Sequence, residues 1–513
     1  MLVREFLETT AERLPQKTAV VCDGQRWTYA DINRMADNLA NALVNNGVKR
    51  GDRVVIYFKN CIETVVSIFG VLKAGAVFVV VNRSTKAEKL VYILQNCRAT
   101  ALIADDKIPI EAVNSLINLH DKWLKTLIIC GAVQTYKFNN LCPVLSWDDE
   151  IINNQNKAER PPINNIDLDL ACIIYTSGTT GEAKGVMCDH SSMAFVSGAI
   201  IEYLENSEND IVLNVLPLSF GYGLYQLLTI FRIGGTLILE NSFAFPAAIL
   251  NLIEQERVTG LPGVPTFFAM LLQFDFSKVN FSSLRYLTNA ASGLPPSHLL
   301  ELQNRLPDTK IFAMYGLTET VRALYLPPEC VTKKPESVGV AIPGTEVWVE
   351  REGVRLKHGE VGELVVRGRH VMRGYWEAPE LSAVRFRPGT LPGERLCYTG
   401  DLFKMDEDGL FYFVSRQDDI IKSRGEKVAP REVESVLHKL SGVVEAVVIG
   451  VPDALLGQAI KAFIIKGDKP LTEREVLAYC RLHLEDYMVP KFIEIVETLP
   501  KSPSGKVLRG ELA

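Results

Sequence analysis

Tyr175-Thr176-Ser177-Gly178-Thr179-Thr180-Gly181-Glu182-Ala183-Lys184-Gly185-Val186 is a run of small hydroxyl residues and glycines, with Lys184 near its end, directly after the apolar stretch Ala171 to Ile174. An apolar stretch leading into such a loop predicts a buried strand that ends at an anion site. Small residues let backbone N–H groups come close to a phosphate, and the hydroxyls and Lys184 add further donors. The spacing is not that of a Walker A loop, because G-x-x-x-x-G-K-[ST] is absent. Taken alone, the same composition also suits a surface turn, so the flanking sequence has to decide.

Towards the N-terminus, Tyr29 to Asn46 carries Ile32, Met35, Leu39 and Leu43 at helical spacing. Arg53 to Phe58 reads as a buried strand, Glu63 to Ala74 as a helix and Ala76 to Val81 as a second strand. This alternation predicts parallel sheets covered by helices. It continues beyond the loop through Val212 to Leu216, Thr236 to Leu239, Val258 to Gly260 and Leu284 to Thr288. After about Val338 the texture changes to short alternating strands with glycine turns (Glu346 to Arg351, Val361 to Arg367, Gly409 to Val414). Beyond Asp418 follow a helix at Pro430 to Lys439, a strand at Val443 to Val451, a helix at Glu473 to Leu484 and a strand near Ile493. The expected fold class is α/β, with a large N-terminal domain over residues 1–417. That domain divides into stacked, mostly parallel sheets with helices (1–337) and a small β-barrel-like subdomain (338–417). A small α+β C-terminal domain occupies 418–513, and the polar stretch Ser415-Arg416-Gln417-Asp418 marks the boundary.

A chain of 513 residues exceeds one compact core, and 47% hydrophobic with 23% charged residues is globular composition. The net charge of −6 and the lack of a Lys/Arg-dense block give no footprint for nucleic acid. Met1 to Leu14 mixes Arg4, Glu5, Glu8, Glu12 and Arg13 into its apolar positions and so has no signal-peptide core. No run approaches the roughly 18–20 apolar residues of a membrane helix. A cytoplasmic protein with no membrane partner is expected. The ten cysteines are scattered without a C-x-x-C pair, which predicts reduced, buried thiols and no zinc site.

The string from Tyr175 to Met187 resembles the signature loop of the adenylate-forming superfamily, which comprises acyl-CoA synthetases, luciferases and adenylation domains of peptide synthetases. Further motifs follow in the family's order: Tyr315-Gly316-Leu317-Thr318-Glu319, Thr399-Gly400-Asp401, Arg416-Gln417-Asp418-Asp419-Ile420-Ile421-Lys422 and Gly505-Lys506. The resemblance covers essentially the whole chain and implies an AMP-forming acid–thiol ligase using ATP and Mg²⁺. It implies that Thr176, Ser177, Gly178, Thr179, Thr180, Gly181 and Lys184 bind phosphate, with Tyr315 and Gly316 at the adenine. Asp401 is then expected at the ribose hydroxyls with Arg416 nearby, Thr318 near the α-phosphate, and Glu319 as the magnesium ligand. Lys506 is the expected catalytic cation, reaching both the carboxylate and the α-phosphate. A mobile C-terminal domain would rotate about Asp418, with Lys422 beside this hinge and Gly425 facing the pantetheine arm.

For the acid, the resemblance implies a pocket from Phe220, Gly221, Tyr222, Tyr225, Pro262, Thr288, Ala290, Met314 and Arg322. The strings Leu216 to Leu224 and Tyr315 to Pro328 look closest to stand-alone ligases that load L-proline onto a carrier protein in natural-product pathways. L-proline, with transfer to the phosphopantetheine thiol of a carrier protein, is therefore the expectation. The alternative is an acyl-CoA synthetase acting on a short or cyclic acid without an amine. The alternative rests on one departure: amino-acid-activating relatives have Asp directly after the motif's Phe, where it pairs with the substrate ammonium, and this chain has Gly221. Arg322 adds a cation nearby, and bulky Tyr222, Tyr225, Phe267 and Met314 predict a compact pocket.

Overall fold

In the computed structural model the apolar run before the loop forms the strand Leu170–Thr176, paired antiparallel with Lys184–Asp189. The structure describes the chain apart from residues 110, 113–114, 116–122, 132–141, 155–159, 163, 177–182, 418, 424–425, 454–456, 468, 503–504, 506 and 513. The two strands close one edge of a seven-stranded sheet. The rest of that sheet is parallel and includes Arg53–Phe58, Val77–Asn82, Ala99–Asp105 and Thr126–Cys130. Val54 and Ile56 point into one apolar core, Val55 and Tyr57 into another. Burial of both faces is what helical crossovers impose on a parallel sheet.

A nine-stranded sheet holds Ile211–Asn214, Thr236–Leu239, Gly260–Gly263, Tyr286–Asn289 and Lys310–Tyr315 in parallel. Its side chains share one core with those of the seven-stranded sheet and with the helices Tyr29–Asn45 and Ile62–Lys73, so the sheets are stacked as expected. One strand lies elsewhere than the sequence implied, at Gly260–Gly263 rather than Val258 to Gly260. The Val258 N–H is used to close the helix Pro246–Gln255, donating to the Ile253 carbonyl, so pairing starts later.

Antiparallel strands Glu346–Arg351, Gly362–Arg367, Arg395–Met405 and Phe411–Arg416 belong to a six-stranded sheet with register shifts. A five-stranded sheet with the helices Pro430–Leu437 and Glu473–His483 builds a separate C-terminal core around Val433, Val448, Ile464 and Val476. All ten cysteines are free, but Cys130, Cys142 and Cys330 are only half-buried, unlike the fully buried set expected. Among the described residues no helix is long and apolar enough to cross a membrane.

Candidate active site

The pocket segments sit where parallel strands end. Tyr286–Asn289 runs into Ala290, and Lys310–Tyr315 into Gly316 to Arg322. Carboxyl ends of parallel strands are where α/β sheets bind ligands, because crossover connections leave a crevice there. The turn after Tyr315 is tight: a Cβ on Gly316 would fall 2.2 Å from the Val321 carbonyl oxygen, so only glycine fits.

The strands flanking the candidate phosphate loop are held from two sides, by the helix Ala87–Asn96 and by Trp376. The Tyr175 hydroxyl donates to Asn96 Oδ1 at 2.5 Å, Tyr92 to the Ala183 carbonyl at 3.1 Å, and the Trp376 N–H to the Gly185 carbonyl at 2.7 Å. A side chain on Gly185 would strike Ile173 at 2.7 Å. Thr176 faces Lys184 across the hairpin, and Lys184 Nζ sits 5.8 Å from the Tyr375 ring centroid. Ser177, Gly178, Thr179, Thr180 and Gly181 lie outside the described residues, as do Asp418, Gly425 and Lys506 and the side chain of Lys422.

Tyr315 and Asp401 come from different sheets and meet directly, the hydroxyl donating to Asp401 Oδ2 at 2.6 Å. Asp401 is fixed from below. The Thr399 hydroxyl donates to the Leu364 carbonyl at 2.8 Å and accepts from the Asp401 N–H at 3.2 Å. Arg416 faces Asp401 in register on the neighbouring strand, with Nε 3.6 Å from Oδ1. The edge-on ring of Phe403, 4.8 Å away, sets the plane of Tyr315. Gly400 adopts φ +67°, and its N–H donates to Glu363 Oε1 at 2.7 Å.

Glu319 is buried on the same turn, with Thr318 half-buried before it. Its Oε1 accepts from the Tyr375 hydroxyl and lies 3.9 Å from Arg385 Nε, while its carbonyl accepts from the Met372 N–H at 3.0 Å. Burial, and then the Glu319 charge, push the Tyr375 hydroxyl above its ordinary pKa, so it stays a donor. Arg385 also donates to the Tyr398 carbonyl at 2.8 Å, tying the Glu319 turn to the strand that carries Asp401. Tyr375 and Arg385 were not singled out in the sequence. Gly374-Tyr375-Trp376 was a readable aromatic signal, whereas Arg385 carried none, since its partner lies far along the chain.

Among the residues expected to line an acid pocket, the Tyr222 hydroxyl lies 2.6 Å from Thr288 Oγ1 and donates to the Thr288 carbonyl at 2.8 Å. Met314 Sδ accepts from the Tyr203 hydroxyl at 3.0 Å. Arg322 is 3% exposed, with its guanidinium 4.5 Å from the Tyr222 ring centroid. Tyr225 and Ala290 are buried, Phe220 is half-buried before the helix Gly221–Ile233, and Pro262 lies in its strand. A Cβ on Gly221 would meet nothing within 4 Å except Ile174 Cδ1 at 3.9 Å.

Two C-terminal residues, Lys501 and Gly505, pack against Thr266 and Val264. Lys501 Nζ donates to Thr266 Oγ1 at 3.0 Å and to Glu445 Oε2 at 2.7 Å. Gly505, at φ +78°, is so close to Val264 that a Cβ would stand 3.1 Å from its Cγ2. The Thr266 and Val264 contacts fall just after the strand Gly260–Gly263.

The profile of the AMP-binding enzyme family matches residues 7–376, and that of the AMP-binding enzyme C-terminal domain matches 432–506. The chain belongs to the AMP-binding enzyme family. It is 32% identical over 537 residues to a long-chain-fatty-acid–CoA ligase of Bacillus subtilis (strain 168), covering 99% of this chain and 94% of that one. Against gramicidin S synthase 2 of Brevibacillus brevis it is 29% identical, covering 99% of this chain but 11% of that much longer protein. The anthranilate CoA ligase AuaEII, solved with anthranoyl-AMP, superposes with a TM-score of 0.90 at 27% identity over 100% of this chain and 96% of that one. The o-succinylbenzoate coenzyme A synthetase MenE of Bacillus subtilis, solved with ATP and magnesium ion, gives 0.84 at 26% identity, covering 99% of each chain.

As a family member the protein is an AMP-forming ligase that adenylates an acid with ATP and Mg²⁺. The residues present fit both. Among the described residues no group of three His, Cys, Asp or Glu forms an all-protein cage. Glu319 is one buried carboxylate with Oε1 committed to Tyr375. A single carboxylate beside phosphates suits Mg²⁺, which keeps waters and phosphate oxygens as its other ligands. When bound, the ion would neutralise phosphate charge.

Proposed function

We propose that the enzyme joins the carboxylate of a small, amine-free acid to AMP and then passes the acyl group to a phosphopantetheine thiol. The observation that carries this reading is the lack of an acidic side chain at Gly221, where a Cβ would touch only the Ile174 methyl, with the Arg322 cation buried close by. A substrate ammonium there would gain no carboxylate from position 221 and would feel the buried Arg322 cation, an expensive combination in a low-dielectric site. The L-proline reading rests on the likeness of Leu216 to Leu224 and of Tyr315 to Pro328, and the pocket charge weighs against it.

In this reading Asp401, supported by Tyr315 and Arg416, takes the ribose hydroxyls, and the loop from Thr176 to Lys184 takes the phosphates. Glu319 holds Mg²⁺, Thr318 lies at the α-phosphate, and Lys506 neutralises charge as the mixed anhydride forms. Residues 1–417 act as the adenylating body and 418–513 as a domain that turns about Asp418, bringing Lys422 and Gly425 to the thiol. The acceptor is a pantetheine arm, the chemistry common to coenzyme A and carrier proteins. The ligase relatives named for CoA and the gramicidin S synthase support the two sources in turn.

A pyrophosphate-release screen over amino acids, short fatty acids and aryl acids tests the first step. Release is expected with amine-free acids. Release driven by proline above all others would overturn the reading. Adding coenzyme A or a phosphopantetheinylated carrier protein then identifies the acceptor.

A further inference from the structure

Arg322 poses a problem that the adenylation chemistry does not solve. It is 3% exposed, Nη1 donates to the Val321 carbonyl at 2.9 Å, and its buried Nε has no hydrogen-bond partner. Among the described residues no carboxylate forms an ion pair with it. A buried guanidinium is normally paired, because desolvating a lone charge is costly.

A second orphan shares its surroundings. Tyr225 is fully buried and its hydroxyl has no partner. Tyr222 and Tyr225 are three residues apart on one face of the helix Gly221–Ile233. Arg322 lies over the Tyr222 ring, its guanidinium 4.5 Å from the centroid. Buried donors without acceptors are rare in folded proteins and point to a group that arrives with a ligand.

The backbone holds this arrangement under strain. Val321 is β-branched yet adopts φ +62°, a conformation such residues rarely take. The Arg322 N–H donates to the Thr320 carbonyl at 2.7 Å and the Ala323 N–H to the Tyr315 carbonyl at 2.9 Å, which keeps residue 322 turned inward from the motif that carries Glu319. Strain of this kind persists where the fold over-determines it, commonly at ligand sites. The helix Gly221–Ile233 also begins without a side-chain cap, so its first N–H groups add positive field.

We propose that the acid carries a second carboxylate, held by Arg322 and the Tyr225 hydroxyl while the first is adenylated. The inference rests on the amine-free reading above and narrows it to short dicarboxylic acids. A carboxylate is the acceptor that satisfies a guanidinium Nε–H and a tyrosine O–H together, and charge-assisted bonds of this kind are the strong ones. The bulk of the buried Tyr222, Tyr225 and Met314 keeps the spacer short.

The test compares matched acids in ATP–pyrophosphate exchange: succinate against butyrate, glutarate against valerate, phthalate against benzoate. The diacid of the preferred skeleton should exceed its monoacid in kcat/KM by about 100-fold or more, since a site built around buried polar groups rejects analogues that leave them unpaired. Arg322→Met should invert that ratio, and Tyr225→Phe, which removes one oxygen only, should lower it about 10-fold. Thermal shift with ATP confirms that each variant is folded, and should Arg322→Met fail to fold, the wild-type ratio and Tyr225→Phe decide. A monoacid that equals or exceeds its diacid in the wild-type enzyme would overturn the inference and leave the amine-free reading standing. Preference for an amino acid would overturn both.

Discussion

Replacing Tyr375 with Phe removes a single oxygen from the support of Glu319, the carboxylate proposed to hold magnesium. Tyr375 is 6% exposed and Glu319 is 9% exposed, so the bond between them forms out of bulk water. A buried hydrogen bond to an ionised group is worth about 1.5–3 kcal/mol. At ~1.4 kcal/mol per decade this corresponds to about 10- to 100-fold in an equilibrium constant, the range seen when partners of metal ligands are removed. The aromatic ring stays, packed 5.6 Å from Phe386, and Arg385 remains 3.9 Å from Glu319, so the turn keeps its shape. Tyr375→Phe should therefore raise the half-saturating Mg²⁺–ATP concentration about 10- to 100-fold in a pyrophosphate-release assay. Calorimetric titration of Mg²⁺–ATP should show the same weakening without turnover. A magnesium dependence that superimposes on the wild type in both measurements would refute the reasoning, because Glu319 would then need no help from Tyr375 to hold the ion.

Lys506→Ala should leave ATP binding nearly intact and sharply reduce adenylate formation; undiminished pyrophosphate release would remove Lys506 from the chemistry. Gly316→Ala should destabilise by more than about 2 kcal/mol, because its Cβ would lie 2.2 Å from a backbone oxygen that cannot move aside cheaply. Gly221→Ala, at the first turn of a helix with 3.9 Å of clearance, should be neutral or stabilising by about 0.5 kcal/mol, and denaturant titration distinguishes the two glycines. Burial lowers the pKa of His190 and His370 from 6.5 to about 4 each, so the folded protein keeps both neutral. The unfolded chain then takes up more protons below pH 6.5, and stability should fall from pH 6.5 towards 4, by up to about 3 kcal/mol per histidine. Unfolding midpoints at pH 7, 6 and 5 report this slope, and His370→Phe should make it shallower; a flat profile would contradict it.

The strand–loop–strand from Leu170 to Asp189, the alternation of helix and strand, and the order of the motifs were legible in the sequence. They depend on local periodicity and on residues that stand next to one another. Two details were misplaced for lack of context: Val258 closes a helix rather than opening a strand, and three cysteines lie only half-buried. Tyr222 and Thr288 were grouped by resemblance, but their hydrogen bond joins a helix to a strand far apart in the chain.

The sequence by itself determined that this chain is an α/β enzyme with the ordered motifs of an AMP-forming ligase. It also determined that position 221 offers no acidic side chain. Only the tertiary structure decided that Arg322 is buried with no carboxylate paired to it among the described residues, and that Tyr375 and Arg385 support Glu319. The reason is physical: charge balance in a pocket is a sum over side chains from many segments, and their separations in space are set by sheet stacking, not by spacing along the chain.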